Sequence, residues 1–190
     1  MSNQYYLMAQ LPSFSIDNEK ADLPVTEEYF LDLCSRFLDD KSLKLIRELS
    51  LEPPRQGVST GSAFLDSWYN NERDLRFALA QIRALRLNKK FDLENRTFSP
   101  EIVQTARTAC GMESPLAAER YLNKYRAELI ENIKPSDEFS IDSVFSYALK
   151  LKLALRIKKF DAEKGMACYH KIYDSILNAD SSADKTTGVN

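Results

Sequence analysis

A chain of 190 residues, 44% of them hydrophobic, is long enough to bury a core of its own without staples. Lys and Arg total 26 against 28 Asp and Glu, which excludes a global positive field that would collect nucleic acid non-specifically. Cys34, Cys110 and Cys168 are odd in number and share no metal-ligand spacing, so neither a disulfide framework nor a zinc site is expected, and a reduced cytoplasmic setting fits best.

The start, Tyr5 to Pro12, is apolar and reads as either a short strand or a helix stopped by Pro12. Thr26 is placed to cap a helix in which Phe30, Leu33, Cys34, Phe37 and Leu38 recur at three- and four-residue spacing. Asp39 caps the next, whose Leu43, Ile46 and Leu49 share a face until Pro53-Pro54 ends it. The segment from Gly57 to Ser62 has neither the lysine nor the glycine spacing of a phosphate loop and reads as a plain connection. From Ser62 a short apolar stretch carries Phe64, Leu65, Trp68 and Tyr69. Asn70-Asn71 then offers a break and a new cap, and a further helix runs to about Leu87.

Ser99-Pro100 and Ser114-Pro115 each place a serine cap before a proline at the first helical position, and the second of these helices ends before Pro135. Ser140 or Asp142 opens what is expected to be the longest helix, to about Phe160. Leu149, Leu151, Leu153, Leu155 and Ile157 alternate in it at the period of a strand. The run is nevertheless too long, and too rich in leucine, for a strand, and as a helix it is apolar on most sides, as a central packed helix is. A last helix carries Met166, Tyr169, Tyr173, Ile176 and Leu177. The fold class is therefore all-α, with residues 1–178 forming one helical domain and the polar residues 179–190 a disordered tail.

An internal match divides that domain. Phe77-Ala78-Leu79 pairs with Tyr147-Ala148-Leu149, and Ala84-Leu85-Arg86-Leu87 pairs with Ala154-Leu155-Arg156-Ile157. After a one-residue slip at Asn88, Lys89-Lys90-Phe91-Asp92 matches Lys158-Lys159-Phe160-Asp161. Two repeated helical units, about 62–134 and 136–178, follow from it. Asp161 is a candidate cap for the last helix.

No catalytic, cofactor-binding or metal-binding residues stand out. His170, the one histidine, lies two residues from Cys168 and so on a different helical face, which argues against a nucleophile and base pair. What remains are surfaces, and the candidate partner-binding residues are the two basic helix ends: Arg83, Arg86, Lys89 and Lys90, with Arg156, Lys158 and Lys159. Basic residues in a last turn complement the helix dipole, and in clusters they suit an acidic partner.

Tyr5-Tyr6-Leu7-Met8-Ala9-Gln10-Leu11-Pro12 and Leu23-Pro24-Val25-Thr26-Glu27-Glu28-Tyr29-Phe30-Leu31 resemble a bacterial family associated with V-type ATPase operons. That family looks like a reduced relative of the ATPase subunit called C or d, which is all-helical, built of repeated units, and seated between rotor shaft and membrane ring. The resemblance implies a non-catalytic connector or assembly subunit without cofactors. Its expected partners are the central-stalk and membrane-ring subunits, and it would be cytoplasmic and held at the inner membrane only through the complex. The alternatives are a helical adaptor unrelated to the ATPase and an enzyme acting on a small molecule.

Overall fold

The computed structural model of the chain describes residues 3–16, 22–55, 57, 59–90, 97–160 and 162–183. Every regular element among them is an α-helix: α1 (Gln4–Gln10), α2 (Glu27–Phe37), α3 (Asp40–Glu48), α4 (Ala63–Arg86), α5 (Pro100–Gly111), α6 (Pro115–Ile133), α7 (Ile141–Ile157) and α8 (Ala162–Ala183). They form two compact units, Met1–Ile157 and Lys158–Asn190. This division falls inside the span expected for the second repeated unit. Helix α8 runs to Ala183, into the stretch expected to be a tail, and residues 184–190 lie outside the described residues.

Local chemistry starts most of the helices where the residue pattern places them. The Tyr29 amide donates to Thr26 Oγ1 (3.2 Å) and the Ser42 amide to Asp39 Oδ2 (3.2 Å). The Ile102 and Ala117 amides donate to the hydroxyls of Ser99 and Ser114, each ahead of a proline that has no N–H to satisfy. Ser140 caps α7, accepting from the Ser143 amide at 3.2 Å. The initial segment resolves as helix rather than strand.

The break expected at Asn70-Asn71 does not occur. Helix α4 runs through both asparagines and, at 24 residues, is the longest element, whereas α7 has 17 and stops at Ile157. The asparagines lie away from the core, where Asn71 Nδ2 donates to the Ser67 carbonyl and Asn70 Oδ1 accepts from Arg73. On the opposite side Trp68, Glu72 and Leu75 are buried. Tertiary burial along that face outweighs a weak local preference for a cap.

In the first unit, α4 packs on α5, α6 and α7; α6 packs on α5 and α7; α1 and α3 pack on α2 and α7. The apolar interior forms two clusters. The larger takes residues from α1, α2, α3, the first half of α4 (Phe64, Leu65, Trp68, Tyr69), the end of α6 (Ile130) and α7. The smaller takes the second half of α4 (Leu75, Ala78, Leu79), α5 (Ile102, Ala106, Ala109) and the middle of α6 (Leu122, Tyr125). Helix α7 buries Val144, Phe145, Ala148, Leu149, Leu151, Leu153 and Ala154, as a helix apolar on most sides must.

Of the positions matched in the sequence, Ala78 and Leu79 are buried, as are Ala148 and Leu149. The matched positions differ at the helix ends, where Leu87 is 65% exposed and its sequence counterpart Ile157 only 9%. The two helices also serve different clusters. Phe91, Asp92 and Asp161 lie outside the described residues.

The second unit holds one described helix, α8. Met166, Tyr169, Ile172, Tyr173, Ile176 and Leu177 are all exposed, as is every other side chain described from Gly165 to Leu177. Tyr169 and Tyr173 stack along its surface, with ring centroids 6.1 Å apart and planes 19° apart.

Candidate functional site

The C-terminal end of α4 carries four of the seven basic residues singled out from the sequence. Past Leu79 and the half-buried Ile82 the helix runs beyond its apolar cluster, so Arg83, Leu85, Arg86 and Leu87 are exposed. It closes in a turn centred on Asn88, whose φ of 51° is left-handed. The Lys89 amide donates to the Ala84 carbonyl at 2.9 Å and the Asn88 amide to that of Leu85 at 3.2 Å. These two bonds are the Schellman arrangement, with asparagine in the position glycine usually fills. The one-residue slip in the internal sequence match is thus the residue that turns the chain, and it sets Lys89 and Lys90 directly after the exposed leucines.

The basic residues do not act alike. The Arg86 guanidinium donates to the Cys110 carbonyl in the last turn of α5, where it offsets the negative end of that helix and ties α5 to α4. Arg156 is half-buried and pairs with Glu119 at 2.5 Å, so it holds α7 to α6 and is not presented as a docking cation. Lys158 and Lys159 belong to the second unit and are exposed. Arg83, Lys89 and Lys90 are exposed and make no ion pair among the described residues. With Leu85 and Leu87, 69% and 65% exposed and two positions apart on different sides of the helix, they crowd the end of α4.

A second constellation escaped the residue pattern. Glu72 is 1% exposed, and Arg126 spans its carboxylate with Nε to Oε2 and Nη2 to Oε1, both at 3.0 Å. Arg126 Nη1 also donates to Asn123 Oδ1 (3.1 Å) and Glu119 Oε1 (3.3 Å), while Arg76 Nε reaches Glu72 Oε1 at 2.8 Å and Arg76 Nη2 lies 3.6 Å from Glu52. Three acids and three arginines therefore run in a chain Glu52–Arg76–Glu72–Arg126–Glu119–Arg156. Burial works against the Arg126 charge, but hydrogen bonding and the charges of Glu72 and Glu119 outweigh it and hold the guanidinium pKa above its ordinary value. The signal was present, since Glu72 falls on the same spacing as Leu65, Trp68, Leu75 and Leu79, and an acid on an apolar face calls for a buried partner.

The titratable groups that burial perturbs are moved away from reactivity. The Cys34 thiol is pushed up to about 12 by burial, as is the Tyr147 phenol. Both stay protonated at neutral pH. Tyr147 donates to the Pro12 carbonyl at 3.0 Å and meets the Phe14 ring edge-on at 5.3 Å. These rings border a cavity of about 270 Å³ also lined by Met8, Leu11 and Lys150, in which Lys150 is paired with Glu131 at 2.6 Å and sits 5.5 Å over Phe14. The loop before α4 is consumed internally as well: Asp66 accepts from the Ser59 hydroxyl (2.6 Å) and from the Thr60 amide and hydroxyl (2.8 Å each). Ser62 caps α4 and donates to Asp142 at the start of α7 (2.6 Å). Among the described residues no group of three or more His, Cys, Asp or Glu is arranged to hold a metal, and no helix is long and apolar enough to cross a membrane.

Compared with known proteins, residues 89–179 match a family model described as "Protein of unknown function (DUF2764)". The match covers a little under half of the chain, from the turn that closes α4 into α8. No curated protein matches the chain, and no solved structure does.

Proposed function

We propose that this chain is a non-catalytic connector or assembly subunit that binds a partner protein through the exposed end of α4, within a V-type ATPase. The observation that carries the binding role is the exposure of two leucines, Leu85 and Leu87, and of the cations Arg83, Lys89 and Lys90, which make no ion pair among the described residues, at a helix end fixed by its own hydrogen bonds. Burying a leucine contributes about 1.5–3 kcal/mol, so a partner that covers either side of the α4 end gains an apolar anchor. The surrounding cations select an acidic partner and make association sensitive to salt. Rigidity suits a part that transmits force, and here α4 is held to α5 by Arg86 and to α6 by the buried ionic chain. The choice of assembly rests on the resemblance of residues 5–12 and 23–31, which lie largely in α1 and α2.

The test is copurification of the ATPase from the native host through a tag on this chain. The unmodified protein is expected to bring down central-stalk or ring subunits, and R83E/K89E/K90E and L85S/L87S to lose at least about tenfold of that yield. Capture of no ATPase subunit removes the assembly, and unrelated partners in its place indicate a general adaptor. ATPase capture that both variants leave unchanged keeps the role and removes the α4 end as its contact.

A further inference from the structure

The exposed face of α8 has a spacing that fits a second copy of itself. Met166, Tyr169, Tyr173 and Ile176 follow one another at intervals of three, four and three, the knob spacing of a two-helix seam. That series reads the same in both directions. Two α8 helices laid antiparallel about the level of Lys171 therefore bring Met166 of each opposite Ile176 of the other, and Tyr169 opposite Tyr173. The stacked tyrosine pair lies at the middle of the series and meets its own image.

The flanks agree with this register. Ile172 borders the seam at its centre and meets its counterpart across the two-fold axis. Lys171 points away from the seam on the far side of the helix, and the exposed charges Glu163 and Asp174 also lie off it, so no like charges are forced together. Antiparallel pairing also opposes the two helix dipoles favourably.

We infer that α8 is a homodimerisation element, pairing antiparallel with α8 of a second copy through the Met166–Ile176 seam. The six large apolar side chains are each about half exposed or more. At about 200 Å² for a whole large side chain they offer roughly 600 Å² per helix. That lies somewhat below the roughly 800 Å² per partner of a standard stable interface, and describes a dimer that forms reversibly at micromolar concentration. A single helix has no way to cover such a stripe within itself. Tyrosine, methionine and isoleucine are also the composition of an interface core. This inference is independent of the ATPase reading, since it uses no residue of the α4 end.

Light scattering coupled to gel filtration, on the full chain from about 1 to 300 µM, tests it. The mass is expected to rise from 21.8 kDa toward twice that value, and Y169E/Y173E to remain at 21.8 kDa throughout with unchanged helical circular dichroism. An unmodified chain that stays at 21.8 kDa over the whole range, whether its stripe is bare or covered by another part of the same chain, overturns the proposal. So does a Y169E/Y173E variant that dimerises as the unmodified chain does. Orientation is read in a C110S/C168S background under mild oxidation. M166C mixed with I176C is expected to give the 166–176 cross-link at least about tenfold faster than M166C alone gives 166–166, and equal or reversed rates overturn the antiparallel arrangement.

Discussion

Helices α7 and α8 follow one another in the chain and both carry several large apolar residues, yet one is buried on several sides and the other exposes every described apolar side chain. The difference lies in how those residues are spread. In α7 the leucines and alanines run around most of the circumference, so only a central position among α1, α3, α4 and α6 satisfies them. In α8 the apolar residues keep to one stripe, and two of them are tyrosines whose hydroxyls tolerate water. A helix apolar all round must be covered by its own fold, whereas a helix with one aromatic stripe can wait for another chain.

Four measurements sharpen or break that contrast, all by chemical denaturation unless stated. The largest effect is expected for R126M, which strands the Glu72 carboxylate in the interior and releases Glu119, the partner of Arg156 on α7. A loss of about 3–5 kcal/mol is expected, and E72M/R126M should recover most of it because neither charge is then left alone. Next comes L149A on α7, a fully buried leucine, at about 2–5 kcal/mol, against I176A on α8 within about 0.5 kcal/mol at a protein concentration too low for association. Similar losses at the two positions would show that α8 is packed like α7.

A smaller effect is expected for S62A, which removes the cap of α4 and the bond to Asp142 that ties the starts of α4 and α7, at about 1 kcal/mol. The smallest is a pH effect. Burial tends to raise the Asp66 pKa, but hydrogen bonds from Ser59 and Thr60 outweigh it and hold the carboxyl below its ordinary value. A lowered folded-state pKa contributes stability above the unfolded value of about 4, lost as pH falls through the folded value. The unmodified chain should therefore exceed D66N in urea midpoint at neutral pH, and the gap should close in acid.

The caps at Thr26, Asp39, Ser99 and Ser114 were legible because capping is settled within four residues. The continuity of α4 was not, because burial of Trp68 and Leu75 against distant helices decides it. At the basic helix ends, composition located the cations but not their engagements. Cys110 lies 24 residues from Arg86, and Glu119 lies 37 from Arg156, beyond anything local spacing reveals. Glu72 and Arg126 are the instructive pair, since each sits on an apolar helical face where a charge is costly alone, and only a search for oppositely charged intruders on two helices would have joined them.

The ionic chain also lies where the two apolar clusters meet. On α4, Glu72 separates Tyr69 from Leu75, and on α6, Arg126 separates Tyr125 from Ile130. The interior is thus partitioned, and the two compartments need not open together. The smaller one closes over α5, which is held by α4, α6 and the single Arg86 bond at its far end. Native-state hydrogen exchange should therefore release the amides of α5 at lower free energy than those of α7, with α4 and α6 each protected unequally along their length, the step in protection falling at the buried acid and its arginine.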